Sequence, residues 1–209
     1  MKEKICVLTS GGIESAALLS FYAEKKRDIY PLYVRHGFRW EKAELYWLKK
    51  LLASFRKRSL RPLTVLEAPL NLLLKNHWSV RGKSVPSKTS EDASVYLPGR
   101  NLLLVSFANA FCATKKIRRI AIGTLGTNPF PDGTAEFSHM LEKITRQRDG
   151  KTVKIERPFG KLSKPEAMKL ARETPFHLTF SCIHPKGFSH CEKCNKCAER
   201  EKVAAFFNA

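Results

Sequence analysis

The fold class follows from one segment, Ile5-Cys6-Val7-Leu8-Thr9-Ser10-Gly11-Gly12-Ile13-Glu14-Ser15. Its apolar part, Ile5 to Thr9, predicts a buried strand, and the helical spacing of apolar residues from Ser15 to Lys26 predicts a helix after the glycine turn. A strand, a glycine turn and a helix in this order are typical of a parallel sheet covered by helices. The free amides of a helix start attract oxyanions, so the turn is a candidate phosphate-binding loop.

The Ser-Gly-Gly turn has two interpretations when it is taken alone. Small residues are also needed for steric reasons wherever a strand turns tightly into a helix, and the spacing supports both interpretations equally. No Gly-Lys-Ser/Thr follows the turn, which excludes a Walker loop, and the G-x-G-x-x-G pattern of a dinucleotide site is absent.

Short apolar runs alternate with longer amphipathic stretches along the rest of the chain. This pattern predicts an α/β protein with a doubly wound, mostly parallel sheet. The segment 67–96 has little periodicity and is a candidate lid or substrate loop. Further strands are predicted at 29–34, 63–66, 119–123 and 153–156, and further helices at 41–55, 101–115, 135–146 and, opened by a capping box, 163–173.

The amino-acid composition limits the class of protein to which the chain can belong and the kinds of partner that it can bind. The 209 residues are 43% hydrophobic and 27% charged, which excludes disordered, fibrous and disulfide-stapled proteins. The net charge of +19 predicts an anionic partner such as nucleic acid, nucleotide, phosphate or membrane. Because no apolar run reaches the roughly 18 to 20 residues of a membrane span and the start does not resemble a signal peptide, we expect no membrane partner and a cytoplasmic location.

Four cysteines near the C-terminus form the pattern C-x8-C-x2-C-x2-C. Thiolates two residues apart bind one ion from a tight turn, and four of them complete a closed tetrahedral Zn²⁺ site of structural type. An iron–sulfur cluster is the alternative, and His184 or His190 could replace one thiolate. Cys6 and Cys112 lie in apolar elements and are predicted core residues. The four predicted metal ligands are Cys182, Cys191, Cys194 and Cys197.

Three motifs occur in order along nearly the whole chain: Ser10-Gly11-Gly12, Tyr96-Leu97-Pro98-Gly99-Arg100-Asn101, and Ser181-Cys182 followed by His190-Cys191-x-x-Cys194-x-x-Cys197. In this combination the chain resembles the 7-cyano-7-deazaguanine synthase family, also called QueC, of the N-type ATP pyrophosphatase (PP-loop) superfamily. The resemblance implies an adenine nucleotide alpha hydrolase-like fold. It further implies a PP-loop ATP-binding domain over residues 1–160 and a small helical zinc-binding segment over residues 161–209.

The resemblance also implies an activity. Family members are ATP-dependent C–N ligases that convert 7-carboxy-7-deazaguanine and ammonia into 7-cyano-7-deazaguanine for queuosine biosynthesis. ATP activates the carboxylate as an acyl-adenylate, ammonia displaces AMP to form an amide, and a second ATP activates the amide for dehydration. The implied cofactors are ATP, Mg²⁺ and Zn²⁺, and the implied assembly is a homodimer.

Within the resemblance, residues of this chain can be assigned to the reaction. Lys164 and Arg100 are candidates to hold the charge of the departing pyrophosphate, and Asp132 to pair with the guanine-like edge of the base. Taken alone, the same residues have simpler roles: a solvated lysine, a loop arginine and a turn aspartate, with Asn101 as a helix N-cap. The candidates for ATP binding are Thr9, Ser10, Gly11, Gly12, Glu14, Ser15, Asn101 and Gly123.

The chain departs from the family pattern near the implied substrate. Glu14 stands where the family's S-G-G-x-D-S loop has aspartate. The family's Y-P-D-C-R stretch is Phe130-Pro131-Asp132-Gly133-Thr134 here, so an arginine suited to the substrate carboxylate is missing. Candidates to replace that arginine are Arg35 and Arg39, and candidates to stack on the flat heterocycle are Trp40 and Trp78.

Basic runs outside these motifs leave two other functions open. They are Arg56-Lys57-Arg58 with Arg61, and Lys115-Lys116 with Arg118-Arg119. A related PP-loop ligase could adenylate a different acceptor, such as a deazaguanine-linked macromolecule or a tRNA base. A zinc-stabilised nucleic-acid-binding module without catalysis would bind RNA or DNA in a salt-sensitive way, but the glycine loop at a strand end argues against it.

Overall fold

The computed structural model describes residues 2–55, 60–147, 149–171 and 173–207, and within them five strands form one sheet. Every neighbouring pair is parallel, and the strand order is β3-β2-β1-β4-β5. Because the order reverses between β1 and β4, the sheet has the switch point of a doubly wound fold. The strands are β1 (Lys4–Leu8), β2 (Asp28–Arg35), β3 (Thr64–Glu67), β4 (Arg119–Ala121) and β5 (Lys154–Glu156).

Both faces of the sheet are covered by helices, as the sequence pattern predicts. Successive side chains of a strand point to opposite faces. Ile5 and Val7 pack with α1, α2 and α6, whereas Cys6 packs with α4 residues that include Cys112, so both of these cysteines are core residues as expected. The helices of the described ranges are α1 (Ile13–Glu24), α2 (Glu41–Ser54), α3 (Trp78–Arg81), α4 (Arg100–Lys115), α5 (Ala135–Ile144), α6 (Lys164–Leu170) and α7 (Asn195–Phe207).

The predicted capping box opens α6. The Ser163 amide donates to a Glu166 carboxylate oxygen at 2.7 Å. The helix ends at Leu170, earlier than the predicted end near Glu173. The amide and hydroxyl of Thr174 both donate to the Ala171 carbonyl, at 3.0 and 2.6 Å, and this turn replaces a further helical turn.

The segment 67–96 is folded and packs on the cysteine-rich C-terminal segment. It contains α3 and two short 3-10 turns, and its Leu70 and Val95 belong to the same core as the four C-terminal cysteines. Lys88 donates its amide to the Lys193 carbonyl at 3.0 Å, and the Asn195 side chain donates to the Ser90 carbonyl at 2.8 Å. These bonds join two segments that lie about a hundred residues apart in sequence.

Several residues of the basic runs are engaged in ion pairs. Arg61 binds Asp28 at 2.8 Å, and Arg118 binds Asp149. Arg119 contacts Glu156 at 2.5 Å. The run Arg56-Lys57-Arg58 lies outside the described residues. None of the described helices has the length and apolarity needed to cross a membrane.

Candidate functional site

A cavity of about 380 Å³ lies at the carboxyl ends of β1 and β4, where open α/β sheets bind ligands. It brings together residues from the phosphate-loop candidate, from α4, from the loop after β4, and from α6 and α7. All of the predicted catalytic and ATP-binding residues except Gly11 line it. They are Thr9, Ser10, Gly12, Glu14, Ser15, Arg100, Asn101, Gly123, Asp132 and Lys164.

The loop between β1 and α1 is shaped by its own side chains. Gly11 has a φ of +78°, and a Cβ there would lie 3.2 Å from the Cβ of Leu48. The Gly12 amide donates to Ser10 Oγ, and the Ser10 amide to Ser15 Oγ, each at 3.2 Å. The amides of the first turn of α1 have no intrahelical acceptor, so the loop offers an anion site at a helix start.

The C-terminal segment contacts this loop directly. The Phe180 amide donates to the Gly11 carbonyl at 2.8 Å. Phe180 is 1% exposed and packs in the core that also contains the four cysteines. The loop is therefore held on one side by its own hydroxyls and on the other by the segment that carries the predicted metal ligands.

Lys164 lies between two carboxylates beside the loop that joins β1 and α1. Its ammonium group is 2.5 Å from Glu14 and also contacts Glu199 of α7, whose other oxygen lies 2.7 Å from Lys196. Burial alone would lower the pKa of Lys164, but the two carboxylates raise it above its ordinary value. Lys164 is thus a fixed cation with 11% of its side chain exposed, and not a solvated helix-start lysine.

Glu14 reaches Lys164 because the first turn of α1 lies against the loop that follows β4. A Cβ on Gly123 would lie 3.2 Å from the Cβ of Glu14, so glycine permits this close approach. The longer side chain of glutamate, compared with the aspartate of the family pattern, spans the gap to α6. The negative charge at this position is therefore part of an ion pair.

Asn101 and Asp132 form a second polar pair in the cavity. The Asn101 amide group donates to the Asp132 carboxylate at 3.1 Å and to its carbonyl at 3.2 Å. Burial raises the pKa of Asp132, and the bonds from Asn101 oppose this. The N-cap interpretation of Asn101 is wrong, because α4 begins at Arg100 and Gly99 holds the N-cap position with a φ of +73°.

Arg100 and three side chains of the β2–α2 region line the same wall. Tyr33 donates its hydroxyl to Glu44 at 2.6 Å, and burial raises the pKa of Glu44 to about 7 although the nearby Arg100 charge opposes this. His36 bonds through Nδ1 to the Ala68 carbonyl at 2.9 Å, and burial lowers its pKa to about 4. Within the described residues, Arg100 Nε and His36 Nε2 are buried without a hydrogen-bond partner.

Both predicted aromatic residues are at the cavity, whereas the two predicted arginines are not. Trp40 and Trp78 line it and stack with ring centroids 5.7 Å apart. Arg35 pairs with Glu67 at 3.1 Å, and Arg39 donates to the Arg81 carbonyl at 2.9 Å. Neither arginine lines the cavity, so the expectation that one of them replaces the missing arginine is wrong for this structure.

The four C-terminal cysteines converge on one point. Their sulfur atoms all lie within 4.8 Å of one another, and all four side chains are buried. Backbone amides of His184 and Cys191 donate to Cys182 Sγ at 3.3 Å, as they do around metal-bound thiolates. Four converging sulfurs with amide donors fit a closed tetrahedral metal site. Neither nearby histidine belongs to this set, and His190 Nε2 instead lies 3.4 Å from the Ser181 amide.

The family model described as queuosine biosynthesis protein QueC matches residues 4–208. The chain belongs to the QueC family. Relatives named 7-cyano-7-deazaguanine synthase cover nearly the same range. The one from Leptospira interrogans is 33% identical over 95% of this chain and 85% of its own, and that from Pyrococcus furiosus is 30% identical over 97% and 92%.

The likeness of this QueC member to solved structures is weaker. A structure titled as a 4-thiouridine synthetase–RNA complex with bound ATP aligns with a TM-score of 0.48 at 18% identity. The alignment covers 99% of this chain and 50% of that one. A TM-score at this level lies below what establishes a common fold.

Two candidate residues of this QueC member were missed by reasoning from sequence, Glu44 and Glu199. Both lie on helices whose sequences look like ordinary charged surface helices, and only the tertiary structure directs them into the cavity. His36 directly follows β2, but nothing in the sequence indicates that its Nε2 is buried and unpaired.

Proposed function

We propose that this chain converts 7-carboxy-7-deazaguanine and ammonia into 7-cyano-7-deazaguanine, with ATP as the activating substrate. One observation carries the proposal beyond family membership. A single cavity joins the helix-start loop at Ser10–Gly12 with the Asn101–Asp132 pair and the stacked Trp40 and Trp78. A nucleotide and a flat heterocycle therefore have binding groups within one space.

The loop and Lys164 are our candidates for the pyrophosphate end of the reaction. A carboxylate has no leaving group, so adenylation supplies one and releases pyrophosphate. The first-turn amides of α1 and the Ser10 hydroxyl can bind its oxygens, and the Lys164 ammonium, partly offset by Glu14 and Glu199, lies beside them. Since Glu14 and Glu199 already hold Lys164 in place, no side-chain entropy is lost at that step.

Asp132 is our candidate to bind the base. The ring N–H and exocyclic amino group of a 7-deazaguanine are two donors on one edge, and one carboxylate can accept from both. Asn101 fixes the Asp132 carboxylate and leaves its second oxygen available. The Trp40 and Trp78 rings supply an apolar wall on which a flat heterocycle can pack.

Arg100 is our candidate to bind the substrate carboxylate in place of the arginine missing from the 130–134 loop. Its Nε is buried and unpartnered within the described residues. Its charge acts on Asp132, Glu44 and Tyr33, which supports a role near the nucleobase that we assign to Asp132. This differs from the role at the pyrophosphate that family resemblance implies for Arg100.

Glu44 is our candidate to accept a proton from ammonium. Ammonia displaces AMP from the acyl-adenylate only as the neutral amine, so a base must remove one proton. A carboxyl group with a pKa of about 7 is partly ionised at neutral pH and suits this task. The product amide then loses its oxygen through a second adenylation, which releases a second AMP.

The remaining assignments complete the proposal. We assign Zn²⁺ to the four cysteines, where it would fix the C-terminal segment against the loop, and Mg²⁺ to the ATP phosphates. We propose the division into a PP-loop domain, 1–160, and a zinc segment, 161–209, as well as a cytoplasmic location, a homodimer and the class of ATP-dependent C–N ligase.

Turnover assays test the proposal. Purified protein would be given 7-carboxy-7-deazaguanine, ATP, Mg²⁺ and ammonium, and AMP, pyrophosphate and nitrile would be followed by liquid chromatography and mass spectrometry. We expect all three products from the wild type, loss of pyrophosphate release in Ser10→Ala, and a raised KM for the acid but not for ATP in Asp132→Asn. Ser94→Ala, which removes an exposed hydroxyl outside the cavity, is the matched control. A wild-type protein that releases neither AMP nor nitrile would refute the proposal.

A further inference from the structure

A basic and aromatic surface lies on the outward side of α2 and does not contribute to the cavity. Its helix residues Lys42, Lys49 and Lys50 each lie three or four positions from Tyr46 and therefore share a face with it. The tip of the turn between the first two metal-ligand candidates adds Lys186 and Phe188, both exposed. We define the α2 patch by Lys42, Tyr46, Lys49, Lys50, Lys186 and Phe188.

The two aromatic rings of the α2 patch are paired and exposed. The ring centroids of Tyr46 and Phe188 lie 4.5 Å apart. Tyr46 is 38% exposed and Phe188 41%, so each ring leaves a large apolar area in contact with water. Burying these rings in the core would have been favourable. An exposed pair of rings with polar residues around it is a candidate interaction surface.

The position of Phe188 is fixed by the fold. The Trp47 indole donates to the Phe188 carbonyl at 2.7 Å. Lys186 and Ser189 exchange backbone hydrogen bonds at 3.0 and 3.1 Å, and Gly187 between them has a φ of +59°. The exposed ring therefore stands on a rigid turn attached to α2, and binding a ligand there would cost little ordering entropy.

Lysines surround the two rings of the α2 patch. The Lys50 ammonium lies 4.6 Å from the Tyr46 ring centroid, and that of Lys42 lies 5.8 Å from the Phe188 centroid. Neither these two lysines nor Lys49 and Lys186 form an ion pair with any carboxylate in the described parts of the chain. Their charge adds to a protein that already carries +19 overall, so the α2 patch attracts polyanions.

We propose that the α2 patch binds single-stranded nucleic acid, with bases stacked on Tyr46 and Phe188 and phosphates bound by the surrounding lysines. Aromatic rings accept the exposed faces of unpaired bases, and ammonium groups follow the phosphate backbone. A base-paired duplex hides those faces, whereas an unpaired strand presents a base and a phosphate at every nucleotide. The combination of rings and lysines therefore favours a single strand.

Fluorescence anisotropy with labelled oligouridylate of about 12 nucleotides, within the length that one such surface covers, tests the proposal. We expect Tyr46→Ala and Phe188→Ala each to weaken binding about 5- to 150-fold, the effect of removing one stacked base. Leu73→Ala removes an exposed apolar side chain elsewhere and should leave binding unchanged. Oligothymidylate of the same length separates RNA from DNA, and binding of either strand supports the proposal.

The role of the lysines is tested separately from that of the rings, by the salt dependence of binding. Plots of log binding constant against log salt should be less steep by about 0.7 for each lysine–phosphate pair removed by Lys42→Ala or Lys50→Ala. Lys25→Ala is the matched control, because Lys25 also lies over an aromatic ring, Phe21, at 4.3 Å. AMP release should be unchanged in all of these variants, and Ser10→Ala should retain RNA binding, so the proposal and the proposed enzymatic function can fail separately.

Three results would overturn the proposal. The first is wild-type protein that does not bind either oligonucleotide at low salt. The second is wild-type protein that binds duplex RNA as tightly as single-stranded RNA, with no effect of Tyr46→Ala or Phe188→Ala. Charge alone would then explain the binding. The third is a dimer, seen by sedimentation, that dissociates in Phe188→Ala while no oligonucleotide binds, since the α2 patch would then be an interface between two copies of the chain. Thermal melts of each variant exclude unfolding as the reason for weakened binding.

Discussion

The Lys164 ammonium lies 2.5 Å from a carboxylate oxygen of Glu14, so α6 and the first turn of α1 are joined by an ion pair beside the loop. Glu199 contacts the same ammonium from α7. Three elements from both ends of the chain thus meet at one positive charge. We expect Lys164→Met to reduce AMP release about 10²- to 10³-fold, the usual effect of removing one group that stabilises developing charge.

Steady-state AMP release and urea unfolding would be measured together for Lys164→Met. Lys169→Met removes an exposed lysine from the same helix and is the matched control. The variant should also be less stable, because Glu14 loses its cation while Glu199 keeps Lys196. Full activity in Lys164→Met would show that the ion pair serves only to hold α6 on α1.

Glu44→Gln should make the protein more stable and less active. Burial raises the folded-state pKa of Glu44 from 4.5 to about 7. The folded state therefore binds the proton more tightly than the unfolded state, and stability is lost as the pH rises from about 4.5 through 7. At pH 8 we expect a gain of about 1 to 2 kcal/mol in Glu44→Gln, allowing for contact with cavity water, and almost none at pH 4.5.

Urea titrations of wild type and Glu44→Gln across this pH range would check the stability change, with the exposed Glu136→Gln as control. Amide formation from the acyl-adenylate should fall in Glu44→Gln, whereas pyrophosphate release in the first adenylation should not. A stability difference that does not vary with pH would contradict the burial argument.

Metal analysis should find one zinc ion per chain. Cys194 Sγ lies 3.5 Å from Cys197 Sγ and 3.9 Å from Cys182 Sγ, so Cys194→Ser removes a central ligand and should abolish the bound zinc. Cys112→Ala changes a buried cysteine of the α4 core and should keep it. Iron with visible absorbance in place of zinc would select the iron–sulfur alternative.

Gly11→Ala should damage both the fold and nucleotide binding. The φ of +78° is strained for alanine, and the new Cβ would press on Leu48 of α2 at 3.2 Å. We expect a loss of about 1 to 3 kcal/mol. Gly150 has a φ of +75° with nothing within 4 Å of a Cβ, so Gly150→Ala measures the backbone strain alone. Urea unfolding and calorimetric titration with an ATP analogue would separate the two effects, and equal losses in both variants would contradict the role of Leu48.

Local signals in the sequence were enough to predict the strands, most helices and the convergence of the four C-terminal cysteines. The apolar run and glycine turn from Ile5 to Ser15 predict a strand, a turn and a helix from neighbouring residues alone, and the spacing of the four cysteines predicts that they converge. The contact made by Asn101 could not be predicted in this way. An N-cap role would depend only on residues next to it in sequence, whereas its side chain donates to Asp132, thirty-one residues away. Tertiary contacts override local preference at this position.

The cavity wall could not be predicted in the same way. Glu44 is one charged residue among several on an amphipathic helix, and its burial depends on how α2 crosses the sheet edge. Arg35 ends β2 and Arg39 lies shortly after it, yet Glu67 and the Arg81 carbonyl bind their side chains outside the cavity. The position of a charged residue near a motif in sequence therefore did not predict whether that residue lines the cavity.

The bond from the Phe180 amide to the Gly11 carbonyl has a consequence for synthesis of the protein. β1 and α1 leave the ribosome early and can form from local signals, whereas their loop receives this donor only after translation has passed Phe180. Contacts between residues so far apart in sequence form late in folding. A nascent chain interrupted ahead of Phe180 would thus contain all five strands of the sheet but would lack the donor that completes the loop.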